Sequence, residues 1–213
     1  MINNNKKEIV LVLAPHTDDA EFGMGGTIAK LVELGNEVHC VAFSACEQSV
    51  LPNFPADVLI TETKKASRIL GILPDRLTLF QYEVRSFGLQ RQSILNDLIK
   101  LREEIKPDIV FIPSLGDIHQ DHRVISEEGV RAFKFSTLLC YELPWNNLTF
   151  TNSCFCYLDE RHVELKVEAV LEYQSQAHRA YASPDFIWSL AKTRGVQINQ
   201  QFAECFEVVR LTF

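Results

Sequence analysis

Apolar runs of strand length alternate with segments of helical period along this chain. That alternation limits its fold more than any other feature. The first run, Ile9 to Ala14 (IVLVLA), is continuous and rich in β-branched residues, as expected of a strand buried on both faces. Further strands are predicted at Val38–Phe43, Leu77–Phe80, Ile109–Ile112, Leu138–Tyr141, Phe155–Leu158 and Phe206–Leu211. Helices are predicted at Thr27–Leu34, Asp57–Leu70, Leu89–Ile105, His122–Phe133, Glu160–Tyr173 and Asp185–Thr193. Thr27 reads as an N-cap, and Gly35, Gly71 and Pro107 read as stops. This βαβα order predicts an α/β fold, a mostly parallel sheet with helices on both faces. Its expected strand order is 3-2-1-4-5.

No repeat or linker divides the 213 residues, so a single domain over 1–213 is expected. The formal charge is −7 and no basic block occurs, which argues against a nucleic-acid or anionic-membrane surface. No stretch reaches the roughly 18 apolar residues of a membrane span. The start, MINNNKKEIV, has no apolar leader core. A cytoplasmic protein is expected, with its six cysteines reduced and mostly buried. A homo-oligomer stays open.

Two polar motifs follow buried strands. Pro15-His16-Thr17-Asp18-Asp19-Ala20-Glu21 begins where the first strand stops, and Gly116-Asp117-Ile118-His119-Gln120-Asp121-His122 begins just past Ile109–Ile112. Open α/β sheets bind ligands beyond the carboxyl ends of their strands, where strand order reverses. The expected order makes the first and fourth strands neighbours there, so the motifs would face each other across one crevice. Two or three imidazoles with a carboxylate suit Zn²⁺, and three protein ligands leave a position for water. Each motif alone has a plainer reading. Paired aspartates often only cap a helix, and His-x-x-His recurs on surfaces by chance. It is their joint position after buried strands that points to a metal.

At these residues the chain resembles the PIG-L/LmbE-like family of zinc-dependent N-deacetylases. That family's first signature is A/P-H-P-D-D-x-E, matched by Pro15 to Glu21, and its second is H-x-D-H, matched by His119 to His122. Gly25-Gly26-Thr27, ETKKASRILG from Glu62 and KVEAVLEYQSQ from Lys166 extend the likeness over most of the chain. YEVRSF from Tyr82 and YELPWNN from Tyr141 look like a branch found with bacterial surface-polysaccharide genes. The resemblance implies a Rossmann-like, LmbE-like fold and hydrolytic removal of an N-acetyl group from an amino sugar or sugar conjugate, with a zinc-held water as nucleophile. It implies His16, Asp19 and His122 as metal ligands and Asp18 as general base. His119, in protonated form, would stabilise the oxyanion or protonate the leaving amine. Fe²⁺ or Co²⁺ would suit the same donors. Thr17 stands where the family usually has proline, and Leu59 where it often has arginine.

Asp121 is expected either to orient His119 or His122 or to cap the following helix. Arg85, Arg179 and Arg194 are candidates to hold a phosphate or carboxylate of the substrate, and Trp145 to stack on a sugar. Alternatives within the family are an amidase acting on a thiol-sugar conjugate or an antibiotic intermediate, and a non-catalytic sugar-binding relative. A dinucleotide-binding domain is disfavoured, because Gly23-Met24-Gly25-Gly26 is not G-x-G-x-x-G and carboxylates precede it. A binuclear hydrolase is disfavoured because it would leave the first motif idle.

Overall fold

The computed structural model describes residues 7–212; residues 1–6, from which the absence of a leader was expected, lie outside them. Strand β1 (Ile9–His16) continues the IVLVLA run by two residues, so that His16 itself ends the strand. It is followed by α1 (Asp19–Glu33), β2 (Glu37–Ser44), α2 (Val58–Ile69), β3 (Leu77–Leu79), α3 (Arg91–Ile105), β4 (Ile109–Pro113) and α4 (Gln120–Ala132). Then come β5 (Thr137–Tyr141), β6 (Cys154–Leu158), α5 (Glu160–Leu171), α6 (Pro184–Val196) and β7 (Phe202–Arg210). The seven strands form one sheet in the order β3-β2-β1-β4-β5-β7-β6. The pairs from β3 through β5 are parallel, whereas β7 runs antiparallel to both β5 and β6. The expected 3-2-1-4-5 order and the helix-covered α/β sheet are therefore found.

Alternation along β1 explains why its run is apolar throughout. Val10, Val12 and Ala14 enter one core with Phe22 and Ile28 of α1, Ala66 of α2 and Val163 of α5. Leu11 and Leu13 enter the other, with Leu98 of α3 and Ile125 of α4. Successive side chains of a strand point to opposite faces, so a strand sandwiched between helices cannot alternate with polar residues. All six cysteines are free. Among the described residues, no helix is long and apolar enough to cross a membrane.

The largest correction concerns α1, which starts at Asp19 rather than Thr27 and kinks at Met24 (φ −151°, ψ 28°). The glycines ahead of the expected N-cap are places of close approach. A Cβ on Gly23 would lie 2.4 Å from the Tyr141 ring, and one on Gly26 would lie 2.6 Å from Leu158. Beyond the kink the helix starts afresh, and a distant residue caps it. The carboxylate of Glu204 on β7 accepts from the backbone N–H groups of Gly26 (3.1 Å) and Thr27 (2.6 Å). Lys166 of α5 donates to the same carboxylate at 2.6 Å. Both side chains of this pair are buried.

Candidate metal centre

Strands β1 and β4 lie side by side, and from them the chain order runs outward in opposite directions. This switch point opens a crevice at their carboxyl ends. Strand β1 delivers His16, a two-residue turn follows, and Asp19 opens α1. On the other side, α4 carries Asp121 and His122 in its first turn. His119 is the N-cap of α4, its imidazole Nδ1 accepting from the Asp121 N–H at 3.2 Å. The carbonyl of Thr17, which stands in the proline position, accepts hydroxyls from Tyr173 (2.6 Å) and Thr63 (3.1 Å). Those two bonds fix a turn that a proline ring would otherwise stiffen.

His16 and His122 are both backed by carboxylates. His16 donates from Nε2 to Asp121 at 3.1 Å, and His122 donates from Nδ1 to Asp117 at 2.7 Å. Each imidazole therefore turns its other nitrogen, with its lone pair, inward. His16 Nδ1, His122 Nε2 and Asp19 Oδ2 form a triangle with edges of 3.1, 3.2 and 3.2 Å. A tetrahedral zinc with ligands at about 2.0–2.1 Å would space them by roughly 3.3 Å. The three imidazoles of His16, His119 and His122 also form a cluster, but a looser one, with ligand atoms within 4.8 Å of one another. The triangle of His16, Asp19 and His122 is the tighter of the two groups and has the spacing a tetrahedral ion requires.

The ionisation of these groups says the same. Burial works against charge on either imidazole, yet the attraction of Asp19 and the backing carboxylates outweighs it; His16 is raised and His122 is pushed up to about 10. Burial would likewise raise Asp19, but His122 and His16 hold it well below the usual carboxylate range.

Asp18 stands outside the triangle. It occupies the N-cap position of α1 but makes no side-chain capping bond, which removes the plain helix-capping explanation for the Asp-Asp pair. Burial, and then the charge of Asp19, raise its pKa to about 6. His119 departs from the expectation of an imidazolium. Burial and the charges of His122 and His16 push its pKa down to about 4, so it stands neutral. Since Nδ1 accepts from the Asp121 N–H, its proton sits on Nε2.

The remaining candidates divide. A cavity of about 420 Å³, within the range of small-molecule sites, is lined by the triangle, Asp18, His119, Arg85, Trp145 and Arg179. Trp145 already has Tyr181 stacked on it (3.8 Å, 5°) and Phe22 edge-on, so only part of its surface faces the cavity. Arg194 is not brought there; it is paired with Glu142, which meets its Nε at 3.0 Å and also its Nη2. Asp121 orients His16, not His119 or His122, and it also accepts from the Arg85 N–H at 2.6 Å. The helix cap expected of Asp121 is supplied by His119. Asp117, given no role from the sequence, is the partner of His122. Its only signal was its place in the second motif.

A family model described as PIG-L, GlcNAc-PI de-N-acetylase, matches residues 11–133. The match spans more than half of the chain and includes both polar motifs. The chain belongs to the PIG-L family. Similar to this PIG-L protein is the uncharacterized deacetylase YaiS of Escherichia coli, 25% identical over 182 residues, 80% of this chain and 93% of YaiS. Diacetylchitobiose deacetylase of Thermococcus kodakarensis is 24% identical over 205 residues, 88% of this chain and 74% of that enzyme. Among solved structures, N,N′-diacetylchitobiose deacetylase from Pyrococcus horikoshii superposes with a TM-score of 0.81 at 22% identity, covering 98% of this chain and 87% of that one. The shared fold is that of LmbE-like proteins, as the two motifs imply.

Proposed function

We propose that this PIG-L protein is a metal-dependent hydrolase that removes an N-acetyl group from an amino sugar or sugar conjugate, with residues 1–213 acting as one catalytic domain. The observation that carries this reading is the convergence of His16 Nδ1, Asp19 Oδ2 and His122 Nε2 beside a half-buried carboxylate, Asp18, that caps nothing. The family and its diacetylchitobiose-deacetylating members support the acyl amino sugar as substrate. His16, Asp19 and His122 would hold zinc, and the same donors suit Fe²⁺ or Co²⁺. When bound, the ion supplies Lewis acidity, which lowers the pKa of a water and polarises the amide carbonyl.

The chain's own groups do the rest. Asp18, with its pKa raised toward neutrality, removes the proton of the attacking water. The carbonyl oxygen gains charge as the tetrahedral centre forms, and the neutral His119 donates to it from Nε2. A donor aimed at such an oxygen contributes about 2.7–4 kcal/mol. The proton held by Asp18 then passes to the departing nitrogen, and acetate and the free amino sugar leave. Asp117 and Asp121 keep the two histidines in the tautomer that presents a lone pair.

Two measurements test this. Purified protein is expected to contain one metal per chain and to release acetate from at least one member of a panel of N-acetylated amino sugars, free and carrier-linked. Metal-free protein that gains no turnover on adding Zn²⁺ would reject the reading. The backing carboxylate gives a second check. Asp117→Ala is expected to weaken metal binding by about 10–100-fold, measured by competition with a chromogenic chelator. An unchanged affinity would mean that His122 is not a ligand.

A further inference from the structure

The cavity beyond the triangle is not uniformly acidic. Arg85 enters it from the connection between β3 and α3, and Arg179 from the connection between α5 and α6. In this acidic chain other arginines are ion-paired: Arg91 with Glu127 and Glu128, Arg161 with Glu164 and Glu168, Arg194 with Glu142. Among the described residues, neither cavity arginine has a carboxylate within ion-pair distance. Neutral groups hold them instead. Arg85 donates from Nη2 to Ser49 Oγ at 2.7 Å. Arg179 donates from Nε to Gln176 Oε1 and from Nη1 to the Tyr181 hydroxyl, both at 2.6 Å.

Those holders are themselves fixed. Glu62 accepts from both the N–H and the hydroxyl of Ser175, which anchors the turn bearing Gln176. Tyr181 is stacked on Trp145. Arg85 sits at φ 67°, its N–H bound to Asp121 and its carbonyl accepting from Gln120 Nε2. A guanidinium has five N–H donors, so each arginine keeps several after these bonds. Acidic holders would have paired the charge directly; neutral ones orient it, and Asp18 feels the charge of Arg179 without forming an ion pair with it. Leu59 lines the same cavity and brings no charge to it, so its positive charge comes from Arg85 and Arg179.

We propose that the natural substrate is an acylated amino sugar bearing an anionic group, phosphate or carboxylate, and that Arg85 and Arg179 bind that group. The amide half of this statement rests on the deacetylase reading; the anion half does not. A sugar phosphate, a nucleotide-diphosphate sugar and a uronate share the required chemistry.

Equilibrium binding to the metal-loaded protein separates the two halves. N-acetylglucosamine, its 1-phosphate, its uridine diphosphate conjugate and an N-acetylated aminouronate are titrated against wild type, Arg85→Gln and Arg179→Gln, with acetate release measured alongside. At least one anionic sugar is expected to bind wild type about tenfold or more tightly than the neutral sugar. That advantage should shrink in each variant, and in wild type it should shrink with added salt. The salt series needs no variant to fold. Which sugar binds best identifies phosphate or carboxylate. Equal binding of neutral and anionic sugars, or no binding of any, overturns the proposal. So does an advantage that survives in both variants, since the anion would then be sitting on the metal itself. Anion-selective binding with no acetate released from any sugar would sustain the anion site and count against the deacetylase reading.

Discussion

Asp18→Asn should retain its metal and lose acetate release by about 10²–10⁴-fold, the usual worth of a general base. Asn has the shape of Asp but cannot take a proton from water. Asp18 is outside the ligand triangle and caps nothing, so the exchange removes no ligand and no helix-capping bond. Metal analysis and steady-state rates on the same preparation check it. Loss of the metal together with activity would make Asp18 a ligand. A rate within a few-fold of wild type would give the base role to another group. His119 would then be the first to test, since it is the other uncoordinated group beside the triangle that can carry a proton.

Glu204→Leu should produce the largest loss of stability. Lys166 is buried, and without Glu204 its ammonium has no counter-charge, a situation that costs about 3–5 kcal/mol. The Gly26 and Thr27 N–H groups lose their acceptor in the same step. For a chain of this size that corresponds to a fall in Tm of roughly 6–20 °C. Adding Lys166→Met should restore part of the loss, because the orphaned charge is gone while the helix remains uncapped. Thermal unfolding of the two single variants and the double variant reads this directly. Simple additivity in the double variant would show that the pair is not coupled.

The sheet was legible in the sequence because a doubly covered strand must be apolar on both faces, and IVLVLA can satisfy that in few other folds. The two motifs were legible because ligand-type residues stood where such sheets bind ligands. What the sequence hid was pairing across the chain. The kinked start of α1 was missed and the helix was expected from Thr27, since nothing local announces that Tyr141 and Leu158 need the space or that Glu204 supplies the cap. FEVVRL reads as a strand, but its antiparallel insertion between β5 and β6 is set by partners remote in sequence. Asp117 and Asp121 were both in view, yet which of them backs which histidine depends on the path of the loop before α4. The protonation of His119 was also hidden, since it follows first from burial and then from the two other imidazoles beside it.

The insertion of β7 also sets an order of events in time. Strand β6 joins the sheet only through β7, and β7 brings the residue that closes the second half of α1. During synthesis the ribosome releases His16 and Asp19 long before it releases Glu204. Until that late segment docks, the helix that begins at Asp19 lacks the cap beyond its kink. The second half of α1 is therefore closed only once β7 has been made and docked.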